Sequence, residues 1–303
     1  MAVAAPITVA ATPASAASPA VNGGTAPQVA CTSAKSGLAD RLTEDLGALV
    51  DSPDAKGHTS LALYDRTTKT SCTYDADRQH DSASAVKVIV LGALLRQVQD
   101  EHRDMTEVER DLATKMITRS DNDSTTALWK QLGLTRIQEF LRLAGMRHTV
   151  PDPDGHWGLT QINAADQLTL MKLFTATNSV LTDDSRAYAL DLMNQVIPEQ
   201  RWGVPAGAPS GVRVHVKNGW LQRTGGGWRV HSVGAFTGGD HDYGITVLTS
   251  GHASMPASVK VIEDLARKIH ADLNNTPANT GQSFSSRRLP AASDGSLVPA
   301  RDR

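Results

Sequence analysis

The chain has 303 residues, with 30 Lys and Arg against 32 Asp and Glu and a formal net charge of −2. Neither sign runs long enough to make a nucleic-acid footprint. No uncharged apolar stretch after the N-terminus reaches the roughly 18 residues of a membrane-spanning helix.

Residues 1–30 are rich in Ala, Pro, Thr, Ser and Val. Ala2–Ala11 has the character of a signal-peptide core and Ala14-Ser15-Ala16 that of a cleavage site, although a basic start is missing. The segment is read as a leader, either a truncated signal peptide or disordered, and the protein as secreted or held in the cell envelope. Residues 31–274 form the expected domain, long enough to bury one core. Within it, Leu38, Leu42, Leu46 and Leu49 mark one face of a helix over Ser36–Val50. His58–Tyr64 and Thr68–Tyr74 read as two strands about a polar turn. A strongly apolar helix runs over Ser84–Glu101, and the Thr106/Glu109 spacing of a capping box opens the next, to Thr118. Helices follow over Asp123–Leu132, Thr135–Ala144, Asn163–Thr175 and Asp183–Val196. Val212–Lys217, Trp228–Phe236 and Tyr243–Leu248 read as strands, and Ala257–Leu273 as a closing amphipathic helix.

Segregated strands and helices imply an α+β fold. The expected architecture is an antiparallel sheet flanked by the terminal helices, with a second, all-helical lobe. Residues 275–303, rich in Ser, Pro, Gly and Asn, are read as a disordered tail. Cys31 and Cys72, the only two cysteines, predict one disulfide in an exported chain. The 10 histidines form no helical His-x-x-x-His or His-Glu pair, so neither a metal nor a cofactor is expected.

Chemistry enters at Ser84-Ala85-Val86-Lys87. A serine is a poor nucleophile until a neighbour takes its proton. Positions i and i+3 share a helix face, so Lys87 can reach the Ser84 hydroxyl, and apolar surroundings disfavour its ammonium form. The tetrapeptide alone also fits a helix cap followed by a solvated lysine. Two further motifs follow in order: Ser120-Asp121-Asn122, then Lys217-Asn218-Gly219.

Ser-x-x-Lys, Ser-Asp-Asn and Lys-Thr-Gly, in that order, are the signature of class A β-lactamases and penicillin-binding proteins, and the chain resembles them from about Ser36 to Asn274. The resemblance implies their fold and a serine acyl-enzyme mechanism. Ser84 would be the nucleophile and Lys87 its base. Ser120 would relay a proton to the leaving group, and Lys217 would supply positive charge. Asn122 would bind the acyl side-chain amide, and Ser84 and Trp220 N–H would form the oxyanion hole. Asn218 stands where threonine is usual; it can still donate to a substrate carboxylate but brings no hydroxyl. Gly219 completes the motif. A Ser293-Asp294-Gly295 in the tail mimics the second motif and is set aside, because no helix follows it.

Two departures bear on function. The loop RHTVPDPDGHWGLTQI, residues 147–162, holds no glutamate where class A β-lactamases carry the one that activates the deacylating water. Asp152 and Asp154 are its only carboxylates. They are candidate bases if the backbone comes close, and otherwise ordinary turn residues. The 36-residue step from Ser84 to Ser120 also leaves out a loop that walls the cleft in family members, which predicts an open site. Trp157, Trp202, Trp220 and Trp228 border it, as ligand platforms or as core.

The reading is a serine hydrolase, active as a monomer on a β-lactam or a related amide or ester, with slow hydrolysis. The alternatives are a D-alanyl-D-alanine carboxypeptidase or transpeptidase-like protein, an esterase acting on another acyl group, or a binding module with a vestigial site.

Overall fold

A computed structural model describes Met1 and residues 26–275, 289–290 and 292–296. The leader over 2–25 lies outside the described residues.

The chain opens with a short strand β1 (Ala30–Thr32), then helix α1 (Leu38–Val50) and strands β2 (His58–Asp65), β3 (Thr70–Tyr74) and β4 (His80–Asp81). A 3₁₀ turn over Ala83–Val86 runs into α2 (Lys87–Asp100), followed by α3 (Glu107–Thr118) and α4 (Asn122–Ala144). Next come β5 (Gln161–Ile162), α5 (Ala164–Thr175), α6 (Asp183–Asn194), β6 (Arg213–Arg223), β7 (Gly227–Gly238), β8 (His241–His252) and α7 (Met255–Asn274).

Six strands form one antiparallel sheet in the order β1-β3-β2-β8-β7-β6, and β4 pairs with β5 in a separate two-stranded ribbon. The α1–α7 pair covers the sheet against β7 and β8; α5 packs on β2, β7 and β8, and α2, α3 and α4 build the helical lobe. The expected α+β architecture is therefore found. β1 is an addition: Cys31 sits opposite Cys72 on β3, and the two are joined by a disulfide with Cα atoms 4.1 Å apart.

Local chemistry accounts for the elements that position the site. Every residue of α2 from Lys87 to Leu95 is buried, as expected of a helix apolar on all sides. α3 begins on a complete capping box: Glu109 N–H donates to Thr106 Oγ1, and Thr106 N–H donates to Glu109. The two helices predicted around Gly133 form one element, interrupted where Gly133 takes φ 66° and ψ 166°. That is a left-handed backbone a larger residue enters only with strain. β6 and β8 run to 11 and 12 residues, well beyond their predicted C-terminal ends, while β7, at 12 residues, stays close to its predicted range. Among the described residues, no helix is long and apolar enough to cross a membrane.

Candidate active site

β6 is an edge strand, and its middle lies against the 3₁₀ turn that carries Ser84. Contact is backbone on backbone. A Cβ placed on Gly219 would lie 2.7 Å from both Ser84 N and Ala85 N, so only glycine lets the strand approach this closely. From the other side the 157–160 segment braces the turn: Ser82 N–H donates to Thr160 O at 2.9 Å, and Ser82 Oγ to Trp157 O at 3.2 Å. Ala83, just before the nucleophile candidate, takes φ 46°, and Ser120 takes φ 58°. Left-handed non-glycine residues cost about 1–2 kcal/mol each. They persist where surrounding structure over-determines them, commonly at functional sites.

Ser84, Lys87 and Lys217 are all fully buried. The two lysines meet at Ser120: Lys87 Nζ lies 3.0 Å and Lys217 Nζ 2.9 Å from Ser120 Oγ. Lys87 also donates to Ser120 O at 2.6 Å and to Asn122 Oδ1 at 2.7 Å, so all three ammonium protons are placed. Its Nζ lies 5.0 Å from the centre of the Trp157 ring. Ser84 Oγ has no hydrogen-bond partner among the described residues. Burial, opposed by the charges of Asp294 and Asp121, pushes the Lys87 amine down to about 7. Burial, and then repulsion by Lys87, pulls Lys217 well below the ordinary lysine range. Two lysines sharing one hydroxyl in a dry site favour a state in which at least one is neutral, the form that accepts a proton.

Ser120 and Asn122 are free to face this cluster because another residue caps α4. Asp121 accepts Ser124 N–H at 2.7 Å, so the helix is capped without their side chains. Asn218 departs from expectation. Its amide donates to Gln200 O and Trp202 O, each at 2.8 Å, and both N–H groups are spent inside the protein. A buried amide must satisfy its donors, so it holds the 200–202 segment instead of facing a substrate carboxylate. Trp157, Trp202, Trp220 and Trp228 are all buried. Trp202 and Trp220 meet edge to face at 6.0 Å, and Trp157 Nε1 donates to Thr126 Oγ1. They are packing residues, not an exposed platform.

Asp152 and Asp154 are not brought to the serine by any bond. Asp152 Oδ2 accepts the N–H groups of Asp154 and His156, at 3.2 and 2.9 Å, and lies 3.1 Å from His156 Nδ1. Asp154 is exposed. Among the described residues, Asp152, Asp154 and His156 are the one group whose ligand atoms gather closely enough to hold a metal, within 4.8 Å of one another. The turn bonds of Asp152 account for that gathering without an ion.

The expectation of disorder does not hold for 292–296, and the Ser293-Asp294-Gly295 set aside in the sequence lies on the site. Ser84 N–H donates to Asp294 Oδ2 at 3.0 Å, Asn122 Nδ2 to Asp294 O at 2.6 Å, and Asp294 N–H to Trp220 O at 3.0 Å. The main-chain N–H and C=O of a strand residue face the same edge. Trp220, with its carbonyl on the open edge of β6, therefore turns its N–H the same way. The likeness of this tripeptide to the second motif was the one sequence signal for it.

Residues 41–109 and 108–273 match the sequence profile of a family described as the beta-lactamase enzyme family. Proteins of Mycobacterium tuberculosis and Mycobacterium bovis named "Putative lipoprotein LppW" are 26% identical over 192 residues, 61% of this chain and 61% of theirs. The chain thus aligns with about three fifths of the length of those relatives. Among solved structures, PBP-A superposes with a TM-score of 0.67 at 17% identity, over 78% of this chain and 96% of that one. A β-lactamase from Sphaerobacter thermophilus superposes with a TM-score of 0.66 at 19% identity, over 78% and 98%. At such identities the superpositions speak for the fold. The profile spans most of the chain and ends within α7. The chain belongs to the beta-lactamase enzyme family.

Proposed function

We propose that the protein is a serine hydrolase that forms an acyl-enzyme on Ser84 with a β-lactam or a related amide or ester, and that it hydrolyses this intermediate slowly. One observation carries the reading: Ser84 lies one turn from a buried lysine whose amine is held near neutrality and which shares Ser120 with a second buried lysine.

In this reading neutral Lys87 takes the Ser84 proton as Oγ attacks the carbonyl. Ser84 N–H, with Trp220 N–H on the open edge of β6, stabilises the oxyanion. Ser120, between the two lysines, hands a proton to the leaving nitrogen. Asn122 presents its amide to the acyl side chain. Water must then release the acid, and the 147–162 loop supplies no carboxylate bonded near Ser84 for that step. The disulfide and the name carried by the LppW relatives support an envelope or secreted location.

The experiment is to mix the purified protein with a chromogenic cephalosporin and, separately, with a labelled penicillin, and to follow intact mass. A penicillin adduct on the wild type that is absent from Ser84→Ala is the expected result, with colour appearing at a slow steady rate. Fast colour without a lasting adduct would replace slow hydrolysis by efficient β-lactamase turnover. A permanent adduct without colour would favour a carboxypeptidase-like protein. Neither adduct nor colour would remove the β-lactam reading.

A further inference from the structure

Residues 292–296 lie on the open edge of β6 and engage two of the polar groups that the proposed reaction needs, Ser84 N–H and Asn122. The amide that would hold an oxyanion, Ser84 N–H, holds a carboxylate oxygen of Asp294. The amide that would bind an acyl side chain, Asn122, holds the Asp294 main-chain carbonyl. The edge carbonyl of Trp220 takes the Asp294 N–H, and the Trp220 indole N–H donates to Ala292 O at 3.1 Å. The second carboxylate oxygen of Asp294 is tied down by Ser296 N–H at 3.0 Å, and Ser296 is itself fully buried. Two glycines make the seat. A Cβ on Gly158 would lie 2.4 Å from Ser296 O, and one on Gly295, where φ is 77°, would lie 2.9 Å from Asn122 Nδ2.

A carboxylate with one oxygen on the oxyanion amide has the form of the acid released when an acyl-enzyme is hydrolysed. It is also a poor electrophile: attack by Ser84 on its carbon would have to add a second negative charge to two oxygens that already share one, with no good leaving group to expel. The segment therefore resembles a product and not a substrate.

We propose that Ala292–Ser296 is a built-in inhibitor that occupies the acylation site in product-like form and must leave before substrate binds. This rests on the serine hydrolase reading above. Tethering gives such a segment a high effective concentration, so the apparent rate of acylation is reduced by the fraction of molecules in which it has left. Its charge acts in the same direction. Asp294 favours the ammonium form of both Lys87 and Lys217, so the docked segment also holds the base in its inactive state.

The test uses the full chain and the rate of adduct formation with labelled penicillin, read by intact mass. Asp294→Ala and, separately, Gly295→Val are expected to raise that rate at least about 10-fold over wild type. Asp294→Asn, which keeps an acceptor for Ser84 N–H, should fall between. A synthetic peptide spanning residues 289–296, added to Asp294→Ala, is expected to slow it again. Equal, non-zero rates in wild type and both variants would overturn the inhibitor and leave the hydrolase standing. No adduct in any form would overturn the hydrolase and the inhibitor with it. Hydrogen exchange supplies a readout independent of chemistry. The Asp294 and Ser296 amides should be protected in wild type and lose protection in Asp294→Ala, and rapid exchange in wild type would also overturn the proposal.

Discussion

The two walls beside Ser84 are built on opposite principles. On the side of α2, α4 and β6, two lysine side chains are buried completely and converge on one hydroxyl. On the other side, in the 152–156 turn of the 147–162 loop, the polar groups bond to one another: Asp152 to the amides of Asp154 and His156, with Asp154 in solvent. Burying a charge without a full counter-charge is expensive, and folding tolerates it only where something else holds the geometry. A short turn that satisfies its own carboxylate costs little and demands nothing of its neighbours. The first wall is organised for proton transfer from the serine, and the second for closing a loop. On this comparison acylation and release should respond very differently to substitution.

The largest response is expected at Lys87. Lys87→Ala should slow adduct formation by about 10²–10⁴-fold, the range for a positioned general base, in a stopped reaction read by intact mass. A full-rate variant would remove the lysine from its role. The same amine gives a pH profile. Burial lowers Lys87 to about 7 against the charges of Asp294 and Asp121, and Lys217 faces it across Ser120. The neutral amine is the active form, so acylation is lost as pH falls: about tenfold per unit well below 7, with a plateau above. A rate independent of pH between 5 and 8 would contradict this account.

A smaller loss is expected at Gly219. The two atoms that a new Cβ would meet at 2.7 Å, Ser84 N and Ala85 N, are both backbone, so no side chain can rotate out of the way. Gly219→Ala should destabilise the fold by about 1–3 kcal/mol through overpacking. Because the shift falls on the nucleophile turn itself, it should also slow acylation, by up to about 100-fold. Denaturant unfolding measures the first effect, and intact mass under conditions where the variant is folded measures the second. A variant destabilised but still fast would show that β6 supports the turn without setting its geometry.

What was legible in the sequence divides along the same line. Ser84 and Lys87 could be read because one helical turn fixes their spacing, and the capping box of α3 because its partners are three residues apart. The convergence of Ser120 and Lys217 on that turn is tertiary, and only motif order pointed to it. Asn218 was misplaced because strand position alone does not tell which carbonyls its amide will meet. The ends of β6 and β8 carry polar residues such as Gln222, Arg223 and Asp242. Pairing partners hold them in the strand, whereas apolar alternation stops earlier. β1 has three residues with no apolar pattern, and its register is set by pairing of Cys31 with Cys72 on β3. The docked 292–296 segment has the composition of a linker. Its order comes from the groove edge it meets, which no local pattern encodes.

The smallest effect is expected where the second wall meets solvent. Asp154 is exposed and makes no side-chain bond to the site, and its backbone amide, not its carboxylate, is what the turn uses. Surface substitutions away from special features stay within about 0.5 kcal/mol, so Asp154→Asn should leave the decay of the penicillin adduct within about 2-fold of wild type. Asp152→Asn keeps an oxygen acceptor for the same two amides and should behave alike. Decay followed by intact mass after removal of free penicillin is the measurement. A loss of 10-fold or more in either variant would mean that the loop closes on the acyl-enzyme and that one of these carboxylates reaches its water. The two walls would then share the chemistry after all.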